Sequence, residues 1–163
     1  MKASIRATVA TAGLVVFASR AQADAPLAQY ALFDLSNLTI RDAGTRLTWQ
    51  RSPLAQPITF AAAADACAHL NLERLSDGWR VPSYKELLTL VDESPHLEYE
   101  AGGLVQKAID ANAFPRTATD VYYWTSSYYV NDRTYAYSVN FRDGLAFKSQ
   151  VASDLLYVRC VHD

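Results

Sequence analysis

What this chain has little of narrows its chemistry first. It holds 2 cysteines in 163 residues, which excludes a cysteine-rich scaffold and a Cys-x-x-Cys redox centre. No His-Glu-x-x-His, Gly-x-Ser-x-Gly or phosphate-cradling glycine loop occurs, so the familiar hydrolase and nucleotide-binding motifs are missing. The 3 histidines, His69, His96 and His162, are scattered without ligand spacing, so no metal is expected. Asn131, Asp132 and Asp143 carry oxygens, yet no dense calcium loop surrounds them. The formal charge is −2, which argues against nucleic acid or anionic lipid as partner. Internal repeats and low-complexity tracts are absent from the sequence, and no apolar run reaches the roughly 20 residues of a membrane span.

The start of the chain has the layout of a secretory signal peptide. Lys2 and Arg6 precede an apolar or small run from Ala7 to Ala18, and Ala21-Gln22-Ala23 offers a small-x-small cleavage site before Asp24. The expected division is residues 1–23 as a cleaved leader and 24–163 as a single domain, with no membrane span after cleavage. An uncleaved anchor is the alternative; no cysteine near the cleavage site favours a lipid anchor. Loss of the leader leaves 12 basic against 17 acidic residues, a net charge of −5. The expected location is the periplasm or the cell exterior. There a lone pair, Cys67 and Cys160, predicts one disulfide, with two free thiols as the alternative. In the chain-entropy model, closing so long a loop is worth roughly 4–5 kcal/mol.

The patterning predicts an α+β chain. Tyr30 to Asp34 reads as a strand. Leu38-Thr39-Ile40 and Leu47-Thr48-Trp49 read as a hairpin about Asp42-Ala43-Gly44-Thr45. A helix starts at Thr59, with Phe60, Ala63, Cys67 and Leu70 on one buried stripe. A second follows Pro82, where Ser83-Tyr84-Lys85-Glu86 has the capping-box pattern. Residues 92–102 look irregular, and a short helix is expected from Leu104 to Asp110. Tyr122 to Tyr129, Tyr135 to Phe141 and Leu155 to Val161 read as strands. A three-residue loop with left-handed Gly144 would pair Phe141 with Leu145 and Val139 with Phe147, collecting apolar groups on one face.

Several pieces together carry a resemblance. They are Arg41-Asp42 to Leu47-Thr48-Trp49-Gln50-Arg51, Thr59-Phe60 with Ala66-Cys67, and Asp77-Gly78-Trp79-Arg80-Val81-Pro82-Ser83 with Glu86-Leu87. Phe114-Pro115, Tyr123-Trp124-Thr125-Ser126-Ser127, Val139-Asn140-Phe141 with Gly144, and Val158-Arg159-Cys160-Val161 follow in order. This pattern resembles the Lcl C-terminal domain, named for the end of a bacterial collagen-like adhesin, over about residues 38–162. The resemblance implies a C-type-lectin-like fold: two main helices packed on small twisted antiparallel sheets, with the chain ends close together. A link from the first helix to the last strand fits that layout. The adhesin that names the family binds sulfated polysaccharides through this domain. The present chain has neither a collagen repeat nor an obvious basic patch, and it lacks the Glu-Pro-Asn type of calcium tripeptide found in true C-type lectins.

Site expectations follow from residue chemistry. Trp79 and Trp124 are expected in the core, Arg80 as a structural fork of donors, and Glu86 as a cap of its own helix. Pro82, Ser83 and Gly144 are expected to shape the backbone. Tyr128, Tyr129, Asn131, Asp132, Arg133, Asn140 and Arg142 are the ligand-binding candidates, because aromatic faces edged by hydroxyls and amides bind sugars and peptides at low entropic cost. The expected function is noncatalytic recognition of a glycan or an envelope protein, with no cofactor. The alternatives are a structural or accessory subunit of an envelope or adhesin complex, and an enzyme of the sulfatase-modifying type found on the same fold. The latter needs a free cysteine, and both are expected to be bridged.

Overall fold

The computed structural model describes residues 26, 28–33, 36–72 and 74–163. The expected leader lies outside the described residues.

Among the described residues, three small antiparallel sheets and two short helices build the fold. β1 (Tyr30–Leu32), β2 (Thr39–Asp42), β3 (Thr48–Gln50) and β9 (Val161–His162) form one sheet in the order β1-β2-β3-β9. β6 (Tyr122–Tyr128), β7 (Tyr135–Asn140) and β8 (Ala146–Gln150) form a second, and β4 (His96–Glu100) with β5 (Gly103–Lys107) a separate hairpin. The helices are α1 (Phe60–Ala68) and α2 (Tyr84–Leu88). This is the α+β, C-type-lectin-like arrangement that the resemblance implies.

Both helices begin where their caps predict. Thr59 accepts the Ala62 N–H through its side chain, and α1 turns Ala63 and Cys67 inward. At α2, Ser83 accepts the Glu86 N–H while Glu86 accepts the Ser83 N–H at 2.7 Å, a complete capping box. The Glu86 carboxylate also takes two bonds from Arg80, at 2.8 and 2.7 Å. Arg80 in turn reaches Asp163, the last residue of the sequence. The Trp79–Ser83 entry segment is thereby tied to α2 and to the C-terminus.

Two clusters share the interior. Ala63, Cys67, Trp79, Val81, Trp124, Ala136, Val158 and Cys160 pack about the disulfide between Cys67 and Cys160, whose Cα atoms are 5.5 Å apart. Ile40, Trp49, Leu87, Leu90, Ile109, Phe114, Tyr123, Val139, Phe141 and Val161 fill the other side of the second sheet. Trp124 donates its indole N–H to Ile58 O at 2.8 Å, which satisfies the polar atom of a fully buried ring.

Arg159 lies beside these clusters, wholly buried and with no carboxylate partner among the described residues. Its guanidinium donates to Gln50 O, Arg51 O and Thr117 Oγ1, and stacks 4.8 Å from the Phe114 centroid. Burial pulls its pKa down to about 10, so it stays charged at neutral pH.

Three expectations need correction. Residues 96–107 are a β-hairpin, not an irregular stretch followed by a helix. Gly103 takes φ of 119° at the reversal, a conformation open to glycine. Lys107 then spans Glu98 at 2.9 Å and Glu100 at 2.6 Å on one face. The β7–β8 register is also displaced: Val139 pairs with Ala146 and Ser138 with Phe147. The Phe141 carbonyl is taken by the Ala108 N–H at 2.7 Å, which draws Phe141 out of the ladder and into the core. The loop closes instead on Asn140, whose carbonyl accepts the Gly144 N–H at 3.0 Å. Finally, 155–161 is not one continuous strand: single bridges at Leu156 and Tyr157 precede β9.

Candidate functional site

The second sheet positions the aromatic residues. Period-2 alternation puts Tyr135, Tyr137 and Val139 on one face of β7, with Ala136, Ser138 and Asn140 on the other. Val139 goes into the core, while Tyr135 and Tyr137 lie further along the same face and are half-buried. Tyr84, the first residue of α2, stacks on Tyr137 with centroids 4.9 Å apart and planes 21° apart. Tyr129 meets Tyr137 edge-on at 5.5 Å. Lys148 pairs with Tyr137 across the strands, and its ammonium lies 5.0 Å from the Tyr135 centroid and 5.3 Å from that of Tyr129. The outcome is a shelf of Tyr84, Tyr129, Tyr135 and Tyr137 edged by one exposed cation.

The loop between β6 and β7 closes one end of the shelf. Asp132 Oδ1 accepts the Thr134 N–H at 2.9 Å and the Thr134 hydroxyl at 2.7 Å, so this carboxylate holds the turn. The Thr134 backbone N–H keeps the Asp132 pKa below the ordinary carboxylate value. Tyr128 turns to the opposite side, against Phe60 of α1 at 5.2 Å, and the Arg133 guanidinium covers its ring at 4.3 Å. Asn131 donates to the Tyr129 hydroxyl at 3.4 Å.

Tyr128, Tyr129, Asn131, Asp132 and Arg133 therefore come together at one end of the sheet. Asn140 and Arg142 do not join them. Asn140 is buried, and its side-chain oxygen accepts the Arg142 N–H at 2.6 Å, so it forms the β7–β8 loop rather than facing a ligand. Arg142 is exposed at the opposite end, just past Asn140 in the β7–β8 loop. Trp79 and Trp124 are buried, and Arg80 pairs with Glu86, lowering its pKa to about 2. Of the shelf residues the sequence candidates included Tyr129 alone, and Tyr84, Tyr135, Tyr137 and Lys148 were missed. Tyr84 reads as an ordinary first-turn residue of a helix. Lys148 gains meaning only from the register that sets it opposite Tyr137.

Ring faces, phenol hydroxyls, an amide and a cation suit noncovalent binding of a flat polyhydroxylated or peptide ligand. Among the described residues no group of three or more His, Cys, Asp or Glu side chains is placed to hold a metal ion. No helix among them is long and apolar enough to cross a membrane.

No curated protein and no solved structure matches the chain at a significant level. A family model does match, over residues 38–162, and that span contains both helices, the disulfide and the tyrosine shelf. The chain belongs to the Lcl C-terminal domain family.

Proposed function

We propose that this protein is an exported recognition module of the bacterial envelope that binds glycan on the Tyr84–Tyr129–Tyr135–Tyr137 shelf. Family membership supports the broader part: the family is a noncatalytic, adhesin-associated module. The shelf is the observation that carries the finer part. Its rings are held by one another and by Lys148, so little side-chain entropy remains to be lost when a sugar ring stacks on them. The phenol hydroxyls, Asn131 and Lys148 supply donors at its edge. Asp132 is committed to its turn and contributes shape.

A glycan array with the oxidised protein, run with and without calcium, tests this reading. Saturable binding that Tyr129→Ala reduces about tenfold or more, with the melting temperature unchanged, is the expected result; one stacking ring is worth about 1–1.5 kcal/mol. Absence of glycan binding, together with co-purification of one envelope protein, would instead favour the accessory-subunit reading. The β4–β5 hairpin favours that second reading, because it exposes Leu97, Tyr99 and Leu104 on one face.

A further inference from the structure

A cleft of about 360 Å³ lies between the β4–β5 hairpin and the segment that leads into β6. Leu104, Val105 and Gln106 line it from the hairpin, and Ala118, Thr119 and Asp120 line it from the other segment. Successive residues of a strand point to opposite faces. The pairing sets Leu104 and Gln106 beside Tyr99 and Leu97 on one face of the hairpin, and Val105 beside Glu98 on the other. Three consecutive residues can reach one cleft only where it runs along the edge of the strand. The main chain of β5 therefore borders the cleft.

That edge is free. β4 is the single sheet neighbour of β5, and among the described residues the β5 backbone makes no hydrogen bond to any other segment. In an antiparallel pair every second residue turns its N–H and C=O away from the partner strand. Proteins usually guard such edges with charge, proline, a bulge or brevity. β1 is three residues long, and β4 has ionisable side chains at three of its five positions. β6 is bonded to Tyr157 along its outer side, and β8 carries exposed Lys148. β5 has none of these guards. It runs five residues in unbroken register without proline, and its one charge, Lys107, is held by Glu98 and Glu100. Beside this edge one face of the hairpin exposes Leu97, Tyr99 and Leu104.

We propose that β5 takes an extended, uncharged segment of a partner polypeptide as a third strand of the hairpin sheet. Main-chain bonds to the free edge supply the affinity, and alternate side chains supply the specificity. One set lies beside Leu104, with Tyr99 behind it, which favours aromatic or β-branched residues. The other set lies beside Val105, which favours branched apolar ones. A single strand suits the space better than a folded partner. The free edge is about 17 Å long, whereas two folded proteins need about 800 Å² on each side, more than one short edge and three exposed side chains offer. This surface is separate from the tyrosine shelf and does not rest on the glycan reading.

Fluorescence anisotropy of a labelled peptide, acetyl-Ser-Thr-Val-Tyr-Val-Thr-Ser-amide, titrated with the oxidised protein tests the proposal. Saturable one-to-one binding is expected, with slower amide hydrogen exchange within Gly103–Lys107. N-methylation of one alternate set of peptide amides should weaken binding at least about tenfold, because it removes the donors to β5, and methylation of the other set should weaken it less. Leu104→Lys should weaken binding by about tenfold with the melting temperature unchanged, because Leu104 is exposed. Tyr129→Ala should leave peptide binding intact and Leu104→Lys should leave glycan binding intact, so the two proposals fail separately. Absence of saturable binding would overturn the proposal. So would equal binding of the parent and both methylated peptides, or slowed exchange at Ala146–Gln150 in place of β5. Dimerisation of the free protein that Leu104→Lys abolishes would overturn it too, by making a second copy the occupant.

Discussion

Gly144 shows how one residue can be held by its backbone and its neighbour together. Its φ is 74°, and a β-carbon placed on it would collide with Val91 Cγ1. Gly144→Ala is therefore expected to destabilise the fold by about 2 kcal/mol or more, combining left-handed strain with the collision. Adding Val91→Ala should recover part of the loss, since it removes the collision and leaves the strain. Chemical denaturation of the single and double variants measures both terms; a neutral Gly144→Ala would refute the argument. The glycine was legible as a left-handed turn residue, but its contact with Val91 was not. Burial of Trp79, Trp124 and Cys67 was equally legible, because large apolar groups and stapled cysteines seek the interior. Arg159 went the other way. Nothing in Val158-Arg159-Cys160 announces a buried cation, because its three acceptors come from residues 50, 51 and 117.

Among the elements, α2 was the most legible and is the best placed for a pH test. Its capping box, its approach through Pro82 and its buried Leu87 are all local signals. The Arg80 bonds lower the Glu86 pKa from 4.5 to about 2. A carboxylate with a depressed folded pKa contributes stability that is fully present above its unfolded value. That contribution is lost as pH falls from about 5 towards 2. The pair is partly exposed, so screening leaves about 1–2 kcal/mol of the nominal gain. Thermal melts between pH 7 and pH 2.5 should show this loss, and Glu86→Gln should flatten it while lowering stability at pH 7. An unchanged pH slope in Glu86→Gln would contradict it. The β4–β5 hairpin was the least legible element. Leu104, Val105 and Ala108 fit a helical stripe as well as a strand, and the antiparallel pairing of His96–Glu100 with Gly103–Lys107 decides between them. The β7–β8 register failed for a related reason, since the bond that sets it, Ala108 N–H to Phe141 O, joins residues far apart in sequence.

For the whole molecule, the disulfide is the largest single constraint that the covalent structure supplies. It joins α1 to the end of the chain across a separation of 93 residues. Cys160→Ser should lower the melting temperature under oxidising conditions, with a loss of up to roughly 4–5 kcal/mol in the chain-entropy model. In reductant the two proteins should melt within a few degrees of each other. An equal deficit in both conditions would mean that the thiol pair acts through packing rather than through the bond.

The sequence by itself determined the α+β class, both helix starts, the cysteine pair and the family, because caps, periodicity and turn residues act over a few positions. Only the tertiary structure decided the β-hairpin at 96–107, the β7–β8 register, the burial of Arg159 and the assembly of Tyr84, Tyr135, Tyr137 and Lys148 with Tyr129 into one shelf. Each of these depends on contacts between distant segments, whose free energy exists only once the chain has closed on itself.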